Sequence, residues 1–192
     1  MNKLKKTIIV RCITVMLLTV GFSFSIIGCS DSTKEEANNT VGIANPMVSV
    51  KGVEDFSNQL GIDMDDSMLP ANAEYFIISN ELAEIQYKMK GIDDEDVEIT
   101  YRACKITPET KSDNDISGIY DDNMTESTIE YGDLNLRLRT SDSLNASIYD
   151  IDFYNEAKQE NIKYCVVIIG NSSQMQIANI MDIAMATFKL EN

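Results

Sequence analysis

The chain has 192 residues and a formal net charge of −15, with no histidine and no tryptophan. The missing histidine excludes Ser-His-Asp and Cys-His catalytic arrangements and the usual zinc sites. Because so acidic a surface repels phosphate backbones, we also expect no nucleic-acid binding.

The first 28 residues have the layout of an export signal. An uncharged, mostly apolar run from Cys12 to Gly28 follows four cations, Lys3, Lys5, Lys6 and Arg11. The run has 17 residues, the lower limit for a helix that crosses a hydrocarbon core of about 30 Å, so an uncleaved anchor is one interpretation.

The end of this run, Ser25-Ile26-Ile27-Gly28-Cys29, resembles the lipobox of bacterial lipoprotein signal peptides. In that family a small residue precedes a cysteine, which receives a diacylglycerol thioether before cleavage. Ile26 stands where the family usually has leucine. The resemblance implies that residues 1–28 are removed and that Cys29 anchors the protein to the outer face of the cell membrane through its acyl chains, palmitate among them. Two or three acyl chains are enough for stable anchoring.

Loss of the signal changes the charge of the remaining chain. Four of the 16 cations leave with it, so 12 cations against 31 acidic residues give −19. Residues 29–44 are small, polar and aperiodic, which predicts a disordered tether. Residues 45–192 are enough for a single extracytoplasmic domain with its own core.

Hydrophobic periodicity predicts an α+β fold for this domain. A short helix is expected over Val53–Leu60, with Gly61 as its stop signal, and a second helix over Ser173–Lys189. Between them a period of two predicts strands at Tyr75–Ser79, Ala83–Met89, Val97–Ile106, Thr128–Tyr131, Leu134–Arg139, Ala146–Tyr154 and Ile162–Ile169. We therefore expect an antiparallel meander of about six to seven strands with the C-terminal helix packed on one face.

The hairpin around Gly132-Asp133 has a predictable register. A two-residue loop pairs Tyr131 with Leu134 and Ile129 with Leu136, which keeps their apolar side chains on one face.

Two cysteines, Cys104 and Cys165, remain beyond the signal and the lipobox. Alternation in its strand puts Cys104 on the more polar face. Outside the cytoplasm the two can form a disulfide, and closing a loop of about 60 residues is worth about 4 kcal/mol in the chain-entropy model. The alternative is two unpaired thiols that behave as small core residues.

Arg102, Arg137 and Arg139 are cations on predicted strands of an acidic protein. One interpretation is an anion-binding patch on the uncovered face of the sheet. The other is ion pairing with carboxylates on neighbouring strands, which contributes less than about 1 kcal/mol for each pair.

Three acidic clusters are candidate calcium-binding sites: Asp63/Asp65/Asp66, Asp93/Asp94/Glu95/Asp96 and Asp113/Asp115/Ser117. The last, followed by Gly118, resembles the first half of an EF-hand loop. Its twelfth position is Met124, which has no carboxylate for the ion, so a solvated acidic loop is favoured. We predict no metal and no cofactor.

Four short segments are similar to uncharacterised lipoproteins of clostridia and related low-GC Gram-positive bacteria: Asn45–Val48, Glu84–Tyr87, Ile99–Ala103 and Ile116–Tyr120. That family implies a fold and a location but no activity.

The sequence has no G-x-S-x-G, Gly-rich phosphate loop or C-x-x-C motif. We therefore expect a non-catalytic module that binds a protein or another envelope component. The alternatives are a lipoprotein that binds a small ligand or calcium and, more distantly, a carboxylate-dependent hydrolase.

Overall fold

An eight-stranded antiparallel sheet and two helices form the part of the chain that the computed structural model describes, residues 46–107, 115–155 and 158–190. The strands are β1 (Met47–Val50), β2 (Glu74–Ile78), β3 (Leu82–Lys90), β4 (Asp96–Lys105), β5 (Thr125–Tyr131), β6 (Leu134–Ser141), β7 (Ala146–Asn155) and β8 (Glu160–Ile169). The helices are α1 (Val53–Leu60) and α2 (Gln174–Phe188). The predicted α+β class is confirmed. The additional strand is β1, which is too short and too exposed for its alternation to be recognised.

The strand order is β1-β2-β3-β4-β8-β7-β6-β5. Two four-stranded meanders, β1–β4 and β5–β8, therefore meet along the β4–β8 pair. After β4 the chain passes to the far edge of the sheet and enters β5. Residues 115–124 of this connection are described, and we call them the crossover segment.

Two hairpins, β5–β6 and β2–β3, have turns with positive φ angles. Tyr131 pairs with Leu134 and Ile129 with Leu136, as predicted. Gly132 has a φ of 57°, a conformation that glycine adopts without cost. In the β2–β3 turn Ser79 and Asn80 both have positive φ, the pattern of the turns that fit the twist of a hairpin.

Both helices lie against one face of the sheet, here called the front face. Tyr101 projects from the centre of this face and is fully buried. Its hydroxyl donates to the carbonyl oxygen of Ile180 on α2 at 2.7 Å and lies 2.8 Å from the hydroxyl of Tyr87. The ring of Phe188 stacks on that of Tyr164, with 4.4 Å between their centroids. The main hydrophobic core therefore lies between the front face and the helices.

The ends of the helices follow from local sequence. Gly61 adopts the left-handed conformation after α1, with a φ of 67°. Ser173 caps α2 in a reciprocal arrangement: its hydroxyl accepts from the backbone N–H of Gln176, and its own N–H donates to the Gln176 side chain. This capping box satisfies two backbone N–H groups at the start of α2.

The opposite face, the back face, carries a row of polar residues. In register across β3, β4, β8, β7 and β6 these are Glu84, Arg102, Cys165, Asp150 and Arg137. The crossover segment covers part of this face. Its apolar side chains pack on a small cluster formed by Ile148, Cys165 and Val167.

Candidate ligand-binding site

The predicted lipidation site, Cys29, and the apolar run before it lie outside the described residues. Among the residues that are described, no helix is long and apolar enough to cross a membrane.

Cys104 and Cys165 lie on adjacent strands of the back face, and both are free thiols in the structure. They are offset in register, because Cys104 lies opposite Lys163 whereas Cys165 lies opposite Arg102. Diagonal neighbours in an antiparallel pair are about 7–8 Å apart, beyond the usual separation of disulfide-bonded residues. The disulfide stays a prediction, and this register disfavours it.

Arg102 forms an ion pair with a carboxylate that has no solvent exposure. Its Nε donates to Oε2 of Glu84 at 2.5 Å, and its Nη1 donates to the carbonyl oxygen of Ile116 at 2.9 Å. The amide of Gln86 donates to the second oxygen of Glu84. Arg102 therefore compensates the buried charge of Glu84 and attaches the crossover segment to the sheet.

Arg139 makes a second attachment of the same kind. Its Nη1 and Nη2 donate to the two oxygens of Asp115 at 2.7 and 2.8 Å, and its Nε donates to Asp150 at 2.8 Å. Burial raises the pKa of Asp115, but hydrogen bonds from Arg139 and Ser117 outweigh it and hold the pKa well below its usual range. The hydrogen bond to Asp115 correspondingly raises the pKa of Arg139.

Arg137 differs from the other two arginines because it lies in solvent. Its Nη2 donates to Glu126 of the neighbouring strand at 2.6 Å, and both side chains are about half exposed. This hydrogen bond lowers the pKa of Glu126. All three arginines therefore pair with carboxylates of a neighbouring strand or of the crossover segment.

A cavity of about 1010 Å³ lies between the β2–β3 turn and the crossover segment. Its apolar lining includes Ile78, Leu82, Ile106, Ile116 and Tyr120. Pockets that bind small molecules usually measure about 300–1,000 Å³ and combine apolar walls with a few polar groups. The cavity thus has the size of a ligand site, and about half of its lining residues are polar or charged.

Three of the 12 cations in residues 29–192 line this cavity: Arg102, Lys105 and Lys163. Lys105 pairs with Glu160 at 2.9 Å. Asp115 also contributes to the lining, but both of its oxygens are held by Arg139. Glu81 also lines the cavity, so three cations and two carboxylates share the lining.

Gly118 has a specific role beside Arg102. Its φ is 68°, and a Cβ atom at this position would overlap Nη1 of the guanidinium group. A larger residue would therefore meet both backbone strain and a steric clash. The glycine allows the crossover segment to lie flat against Arg102 in the cavity wall.

Cys104 is half-buried and lines the same cavity. Burial raises the pKa of its thiol, so the group is protonated at neutral pH and is a poor nucleophile. The fully buried Cys165 has its pKa raised further for the same reason. The lining therefore suits non-covalent binding.

The acidic clusters have other partners in the structure. Asp63 accepts from Lys158 and from Ser57, each at 2.6 Å, and the first of these bonds is the main cause of its lowered pKa. Asp113 lies outside the described residues. Within the described ranges, no group of three or more acidic or cysteine side chains is arranged to hold a metal ion.

Sequence reasoning missed two carboxylates, Glu84 and Asp150, which pair with Arg102 and Arg139. Each interrupts a largely apolar strand at a position whose neighbours are buried, Ala83 and Ile85 or Tyr149 and Ile151. That pattern is the only sequence signal for them. The cavity has no such signal, because segments far apart in the chain form it.

The chain matches no family model, no curated protein and no solved structure. The resemblance to clostridial lipoproteins consequently stays a prediction from short sequence segments.

Proposed function

We propose that this protein is a lipid-anchored extracytoplasmic module that binds an envelope component without catalysis. In this proposal, Cys29 carries the lipid and the cavity beside the β2–β3 turn receives the ligand. The observation that carries the proposal is the cavity, with its apolar residues, its three cations and its half-buried Cys104.

The place where the chain enters the domain supports this assignment. The carbonyl oxygen of Pro46, the first described residue, accepts from the N–H of Ser79 at 3.0 Å. Ser79 itself lines the cavity. In this proposal the predicted tether, residues 29–44, has an end-to-end distance of about 20–24 Å. Anchoring through Cys29 would therefore keep the cavity close to the membrane surface and to components held there.

The anchor is tested by the Cys29→Ala substitution in the native bacterium. We expect loss of lipid labelling and accumulation of the unprocessed precursor, measured with a fatty-acid label and by intact mass. A Cys12→Ala variant is the matched control, because it removes a cysteine from the apolar run without touching the lipobox. Normal lipid labelling and processing of the Cys29 variant would contradict the anchor.

The binding role is tested by a photo-crosslinking residue placed at Tyr120 on intact cells. Tyr120 lines the cavity and is 83% exposed, so the substitution disturbs little packing. Met175, also 83% exposed, begins α2 far from the cavity and is the control position. We expect a defined adduct from position 120 alone. The same adducts from both positions, or none from either, would contradict a ligand site in the cavity.

A further inference from the structure

We infer that the cavity takes an amphipathic carboxylate, a molecule with an apolar chain that ends in a single carboxylate group. This inference rests on the proposed function, because it names the ligand class of the same cavity.

The apolar part of such a ligand would lie against one side of the cavity. Ile78 and Leu82 come from β2 and β3, Ile106 directly follows β4, and Tyr120 comes from the crossover segment. Burial of apolar surface is the main source of affinity in sites of this kind. Because the ring of Tyr120 is exposed, a ligand that covers it would bury apolar surface that now faces solvent.

The carboxylate would be received by Arg102. Only two of its five N–H groups donate to described residues, one to Glu84 and one to Ile116. Its Nη2 has no acceptor among the described residues. A planar guanidinium group suits a carboxylate because its donors match the two oxygens. Gly118 packs against this group, since a Cβ atom there would overlap Nη1 and lie 3.2 Å from Nη2. Lys163 adds a second cation to the lining from the neighbouring strand.

The charge of the domain selects for a single anionic group. Residues 29–192 carry −19, so a ligand with several phosphates would be repelled at long range. A cationic amphiphile would be attracted at long range but would meet Arg102, Lys105 and Lys163 inside the cavity. Among anions, a monoanion with an apolar chain is repelled least at long range and can still pair with a cation of the lining.

The test uses octanoate, octan-1-ol and octylamine, three probes with the same chain and different charge. The full chain is treated with iodoacetamide at mildly alkaline pH, where part of the Cys104 thiol ionises, and alkylation of Cys104 is followed by peptide mass. Because Cys104 lines the cavity, a bound ligand should slow its alkylation. Cys165 is fully buried and serves as an internal control for folding, since its alkylation would show that the probe unfolds the protein.

We expect saturating octanoate to slow alkylation of Cys104 at least threefold, octan-1-ol less, and octylamine not at all. Tyr120→Ala should weaken this protection, whereas Met175→Ala should leave it unchanged. Equal protection by octylamine, no protection by octanoate, or equal effects of the two substitutions would overturn the inference.

The two proposals fail in distinguishable ways. If octanoate does not protect Cys104 but a crosslinker at position 120 still captures a defined envelope component, the ligand class is wrong and the binding site stands. If neither experiment succeeds, the cavity is not a ligand site.

Discussion

The front and back faces of one sheet are built on different principles. The front face presents Ile99, Tyr101 and Val166 to two helices and buries them completely. The back face presents Arg102 and Cys165 from the same two strands, and a segment without regular structure covers it. Since successive residues of a strand face opposite sides, each strand contributes side chains to both faces.

The two faces therefore have different roles: the front face stabilises the fold, and the back face positions the crossover segment. Apolar burial on the front face supplies the driving force for folding. Buried ion pairs supply little net stability, because the cost of desolvating the charges offsets their attraction. The pairs of Arg102 and Arg139 nevertheless attach Ile116 and Asp115 to the sheet. They fix the crossover segment, and with it one wall of the cavity.

The largest effect should come from the front face. Phe188→Ala removes a ring that is 1% exposed and stacks on Tyr164, so unfolding should become easier by about 3–5 kcal/mol. Chemical denaturation followed by circular dichroism measures this. Tyr154→Ala, at a side chain that is 51% exposed, is the control and should cost under about 1 kcal/mol. Equal losses would show that the core does not lie where the helices cover the sheet.

On the back face, Glu84→Leu should destabilise the protein by about 2–3 kcal/mol. The substitution leaves the guanidinium group of Arg102 buried without a carboxylate. The double variant Glu84→Leu/Arg102→Leu should recover most of this loss, because it removes both charges together. Equilibrium unfolding of both variants tests the idea. A double variant that loses as much as the single one would mean that the ion pair itself stabilises the fold.

The front face was largely predictable from the sequence, and the back face was not. Alternation of Val97, Ile99, Tyr101 and Ala103 gave the strand and its buried side, because local periodicity reports burial directly. The β5–β6 register followed from a two-residue loop in the same way. Both are short-range features, which a linear pattern can encode.

The cavity and the ion pairs depend on strand order instead. Arg102 meets Glu84 because β3 and β4 are neighbours, and Arg139 meets Asp115 because the crossover segment passes over β6. The pairing of β4 with β8 joins residues about 60 positions apart. No periodicity in the sequence reports such contacts, so the arginines were recognised as unusual but their partners were not.

The attachment of the crossover segment should weaken in acid. The folded protein holds the pKa of Asp115 below its ordinary value of 3.8, so unfolding takes up a proton at low pH. The stability that this group contributes is present above about pH 4 and is lost as the pH falls through the folded value. Asp115→Asn should therefore cost about 1–2 kcal/mol at pH 7 and progressively less below pH 4.

Denaturation curves of the wild type and of Asp115→Asn, recorded from pH 7 to about pH 2, test this dependence. Asp133→Asn removes one carboxylate from the exposed β5–β6 loop and is the matched control. A loss in the Asp115 variant that does not depend on pH would contradict the ion pair with Arg139.

The smallest effect should come from Arg137, the exposed end of the polar row. Because Arg137 and Glu126 are both about half exposed, Arg137→Gln should leave the melting temperature unchanged at physiological salt. Arg137→Lys keeps the charge and is the control. A clear drop for Arg137→Gln, absent in Arg137→Lys, would mean that the row from Glu84 to Arg137 acts as one electrostatic network across five strands. The division between a stabilising front face and a positioning back face would then no longer hold.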